Sequence, residues 1–199
     1  MRAVSYWGVV MKGDPNRIGA VNYGHHGFKL LPIDCVTGKP AVPEDLNWES
    51  RSYEFDPFTL KDDRGVGLIH SASGTMSLRV QNENNIAYLL GMAGISLSKL
   101  KGAPTSVLIK SKDTEEYELL YKTPQGVHLP SCTAGTEFWQ QSEAKFIFKC
   151  GGSYSMLPSG CTDKNPLSWE GNGGWWKLPA LPIPLYQLWI YELSNQNKL

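Results

Sequence analysis

Two apolar runs close together in sequence constrain this chain most: Val66-Gly-Leu-Ile69 and Thr75-Met-Ser-Leu-Arg-Val80, joined by His70-Ser-Ala-Ser-Gly74. Runs of this length bounded by turn residues read as β-strands, with the Ser-Gly pair as a short connection between them. Further strands are predicted at 106–110, 117–121, 145–149 and 154–157. The polar turn Asn82-Glu-Asn-Asn85 opens a helix over 86–91, with Glu83 near its start, where the helix dipole favours an anion. An earlier helix is predicted over 15–24, with Asp14 as cap and Pro15 in the first turn. Segment 45–63, polar and aromatic, reads as a helix with a loop. The order β-β-α-β-β defines an α+β class, with an N-terminal α/β unit and a C-terminal sheet-rich unit sharing one core. At 199 residues the chain, 1–199, suits a single domain. The polar tail 194–199 reads as the start of a linker.

Five stretches, in order along the chain, resemble the bifunctional primase-polymerase (Prim-Pol) family of the archaeo-eukaryotic primase superfamily. Gly27-Phe-Lys-Leu-Leu-Pro-Ile33 and Gly38-Lys-Pro40 are similar to the family's opening strand and Gly-Lys-x-Pro turn. The stretch through Met76-Ser-Leu-Arg-Val80 resembles the strand that ends in Leu-Asp-Val-Asp, but Arg79 and Gln81 hold the two aspartate positions. Tyr117-Glu-Leu-Leu-Tyr-Lys-Thr-Pro124 is similar to the strand carrying the family's histidine, and Glu118 stands there instead. Phe148-Lys-Cys-Gly-Gly-Ser-Tyr-Ser-Met-Leu-Pro-Ser159 resembles the third motif, with Ile147, or Phe146 in a register slipped by one, at the acid's place. Leu178-Pro-Ala-Leu-Pro-Ile-Pro-Leu-Tyr-Gln-Leu-Trp189 is similar to the family's closing Leu-Pro-x-Trp-Leu. The resemblance implies an RRM-like sheet and a Prim-Pol-like fold.

It also implies what is missing. Nucleotidyl transfer needs divalent cations held by carboxylate oxygens. Arg79 repels such a cation, Gln81 supplies a neutral carbonyl, and Ile147 supplies nothing. No catalytic residue is therefore expected at the matched positions Arg79, Gln81, Glu118 and Ile147, and no cofactor. The competing enzyme reading is an active primase-polymerase with relocated ligands, Glu83 pairing with Glu118 or Asp113. The preferred reading of Glu83 is the helix start.

Nineteen basic residues balance nineteen acidic ones, so the chain lacks the basic excess of a strong non-specific nucleic-acid binder. Any nucleic-acid contact must come from a local patch, for which Arg79, Lys110, Lys112, Lys122 and Lys149 are candidates. Their ordinary role is a solvated face or edge-strand guard. Four unevenly spaced cysteines fit reduced thiols. His128, Cys132, Cys150 and Cys161 form a weak Cys3His zinc candidate without the tight Cys-x2-Cys pairs of zinc knuckles, and Cys35 reads as inert. His70 reads as an ordinary turn contact. His25-His26 lacks the alternate spacing that turns two rings toward one metal. Gly171-Asn-Gly-Gly174 lacks the context of a phosphate loop and reads as a turn. Trp139, Trp169, Trp175, Trp176, Tyr154 and Phe138 can stack bases if exposed, but core positions are the commoner fate.

No signal peptide or apolar span of membrane length is visible, so a cytoplasmic protein without membrane partners is expected. The function expected is that of a catalytically degenerate Prim-Pol-like domain in a phage or mobile-element replication protein. It would bind DNA weakly or dock a helicase or other replication partner. A non-nucleic-acid regulator or protein-interaction module on the same fold is the further alternative. The sequence specifies no oligomeric state.

Overall fold

The computed structural model describes residues 5–6, 9–10, 15–49, 53–61, 63–134, 146–158 and 166–199. The fold is α+β with antiparallel sheets. In chain order the described elements are β1 (Ser5–Tyr6), β2 (Val9–Val10), α1 (Pro15–His25), β3 (Leu30–Asp34), β4 (Arg64–Ile69), α2 (His70–Ser73), β5 (Thr75–Val80), α3 (Glu83–Met92) and α4 (Leu97–Gly102). They continue with β6 (Leu108–Ser111), β7 (Tyr117–Lys122), β8 (Cys132–Ala134), β9 (Phe146–Lys149), β10 (Tyr154–Met156), β11 (Leu167–Glu170) and α5 (Ile183–Asn195). A six-stranded sheet has the order β11-β6-β7-β5-β9-β8, a three-stranded sheet the order β10-β4-β3, and β1 pairs with β2.

Strand alternation sorts the large sheet into two faces. Met76, Leu78, Val80, Leu108, Tyr117, Leu119, Phe146 and Phe148 point to one side, where α3, α4 and α5 cover them through Ile86, Leu90, Leu97, Leu185 and Trp189. Val107, Ile109 and Leu120 point to the other, where they meet Leu30, Val66 and Leu68 of the small sheet and Ala20 and Tyr23 of α1. Near β5 and β7 this second face is polar, and that region forms the candidate site.

The two runs that open the sequence reading are strands, but they do not pair with each other. β4 lies in the small sheet and β5 in the large one. The connection is one helical turn, His70–Ser73, closed by Gly74 at φ 60°. A left-handed residue there redirects the chain between layers at little cost only because it is glycine. Asn82 caps α3, its side chain accepting from Asn85 N–H at 3.1 Å, so Glu83 is at the helix start as expected, but the helix takes in residues 83–85, which the sequence reading gave to a turn. Segment 45–63 departs from expectation. Its described part contains a single 3-10 turn at Pro57–Thr59, capped by Asp56, and Trp48 and Tyr53 pack on the outer side of the small sheet.

α5 runs on to Asn195, and Gln196 Nε2 donates to the Thr133 carbonyl at 2.7 Å, so the start of the 194–199 tail is tied to β8. Cys35 is disulfide-bonded, which corrects the reading of all four cysteines as reduced thiols; spacing alone carries no information on which sulfurs the fold brings together. No helix among the described residues is long and apolar enough to cross a membrane.

Candidate functional site

Register brings the matched positions into one row. Arg79 on β5 lies opposite Glu118 on β7 and opposite Ile147 on β9. Directly opposed residues share a face, so all three belong to the polar face of the large sheet. Ser77 lies opposite Lys149 and Leu120 on the same face. Gln81 falls beyond the end of β5 and is exposed.

The small sheet closes over this row from β10. Together they form a cleft of about 580 Å³ that includes Arg79, Glu116, Glu118 and Lys149 on one side and Gly152, Tyr154 and Met156 on the other. Two ion pairs sit in it. Lys149 Nζ is 2.5 Å from Glu118 Oε1, with side chains 17% and 14% exposed. Arg79 Nη2 donates to Glu116 Oε2 at 2.7 Å.

Behind Glu118 runs a buried polar chain. Ser77 Oγ donates to Glu118 Oε2 at 2.8 Å, and Ser155 Oγ donates to the same oxygen. His70, fully buried, has Nε2 2.7 Å from Ser155 Oγ and Nδ1 3.0 Å from Thr75 Oγ1. Because Ser155 uses its proton on the carboxylate, its oxygen accepts, which assigns the imidazole proton to Nε2. Nδ1 then accepts from the Thr75 hydroxyl.

Burial is the largest influence on both titrating groups, and it acts in opposite directions. It drives the His70 pKa down to about 3, against a smaller upward pull from Glu118. It pushes Glu118 up, but the charge and hydrogen bond of Lys149, with help from Ser155, outweigh it and hold the carboxyl at about 2. At neutral pH the site therefore contains a carboxylate, paired with Lys149, and a neutral imidazole.

This donor set does not fit the divalent cation that the resemblance implies. An ammonium already occupies the Glu118 carboxylate, a guanidinium stands at the Arg79 position, and Ile147 has no donor atom. Among the described residues no cluster of three His, Cys, Asp or Glu side chains suits a metal. Nor does the structure bring Glu83 to Glu118. Glu83 pairs with Lys101 at 2.7 Å, and Lys101 lies over the ring of Tyr117 on the helix-covered face. Glu118, the next residue on the strand, faces the opposite way, and Asp113 is in the exposed turn between β6 and β7.

Of the basic candidates, Arg79 and Lys149 converge and the others do not. Lys110 shares the face of Tyr117 and approaches Glu170 at 3.9 Å. Lys112 is in the exposed β6–β7 turn, and Lys122 is at the far end of β7. Cys132 and Cys150 are buried in the helix-side core, where burial above all raises their thiols to about 12 and about 11. Protonated, apolar-packed thiols make poor metal ligands. His128 is exposed, and Cys161 lies outside the described residues, as do Trp139, Phe138, Asp14 and Lys145.

Sequence reasoning missed His70, Ser77, Ser155 and Glu116. Ser77 was accessible in principle, because period-two alternation puts it on the face of Arg79. Ser155 and His70 meet it only through the pairing of β10 with β4. No family model matches this chain, and no curated protein sequence matches it.

Proposed function

We propose that the chain is a catalytically silent Prim-Pol-like domain, with an RRM-like sheet, of a phage or mobile-element replication protein. Its role is to hold DNA weakly or to dock a partner such as a helicase. The observation that carries this reading is the row Arg79, Glu118 and Ile147, in register on three neighbouring strands, with Lys149 seated on Glu118. Motif positions far apart in sequence meet at one place, and there the cation is built into the chain. A cytoplasmic location goes with this role, and there the Cys35 disulfide has to persist against a reducing thiol pool.

The cleft's charges favour one variant of the reading, a protein-interaction module on the same fold, because Arg79 and Lys149 are each countered by a glutamate. A salt-dependent titration with DNA separates the two, since phosphate contacts weaken steeply with added salt. The catalytic part is tested by primer extension with all four deoxynucleotides and Mg2+ or Mn2+. Extension no greater than background is expected. Extension that disappears in Glu83→Ala would restore the relocated-ligand enzyme.

A further inference from the structure

We draw no further inference here: the strongest candidate, the outer edge of β10 along the cleft, where the register with β4 turns the Tyr154 N–H and C=O away from the small sheet, carries nothing because nothing in the structure shows what covers it.

Discussion

Lys149 and Glu118 are less than a fifth exposed, so neither charge can be left alone cheaply. Removing one partner of such a pair strands the other, at about 3–5 kcal/mol. Lys149→Met is therefore expected to lower unfolding stability by about that amount in denaturant titrations. Lys149→Met combined with Glu118→Leu should recover much of the loss, because no uncompensated charge then remains. The Arg79–Glu116 pair is about one-third exposed on each side, and Arg79→Ala should cost only about 0.2–1 kcal/mol. The pH dependence follows from the same site. An unfolded chain protonates the His70 position below its ordinary 6.5, whereas the folded imidazole resists protonation down to about 3. Its contribution is complete above pH 6.5 and declines as pH falls toward 3, by at most about 1.4 kcal/mol per pH unit. Glu118, held at about 2 against 4.5, contributes fully above pH 4.5 and loses that contribution between 4.5 and 2. Stability should thus begin to fall near pH 6.5, and His70→Asn should flatten the segment between 6.5 and 4.5 in denaturation midpoints measured against pH.

Among the elements, α5 depends on one residue to a large degree. Trp189 is fully buried, stacks on Phe148 of β9 at 5.5 Å, and donates from Nε1 to Pro130 O at 3.2 Å. Trp189→Ala leaves a cavity and an unanswered carbonyl, with an expected loss of about 3–5 kcal/mol, read in the same titrations. α5 was not read from the sequence, where its start is Pro-rich; the elements that were legible are those whose signals are local. Apolar runs marked 75–80 and 117–121 as strands, and the polar segment 82–85 marked a helix after it, although α3 already begins at Glu83. Segment 45–63 was misread as partly helical because its aromatics serve a neighbouring sheet, with Trp48 and Tyr53 packing on it. That the connection 70–74 passes from one sheet to another was not legible, because a turn that joins two sheets and one that joins two paired strands use the same residues. Gly74 suits either, and only the partners of β4 and β5 distinguish them. His70 was lost for the same reason, since its burial depends on β10, more than eighty residues further along the chain.

For the whole molecule, the proposed Prim-Pol-like reading raises the question whether the matched positions form a depleted metal site or a different, self-sufficient one. The geometry is that of a self-sufficient site. Lys149 answers Glu118, Glu116 answers Arg79, and Ser77, Ser155, His70 and Thr75 complete an unbroken hydrogen-bond chain behind them. Arg79 is bonded to Glu116 and not to that chain, so replacing it leaves the Lys149–Glu118 pair and the hydroxyls behind it with their partners. Placing acids at the two matched positions, Arg79→Asp with Gln81→Asp, therefore adds carboxylates without freeing the rest. Lys149 still occupies Glu118, Ile147 still offers no donor, and Gln81 lies past the end of the strand. Metal ligands act as a unit, and a partial set yields little. The double variant is expected to extend no primer above background and to show no saturable Mn2+ binding by calorimetry. Extension by that variant would mean that the remaining site still accepts cation and triphosphate, and the site would then not be self-sufficient.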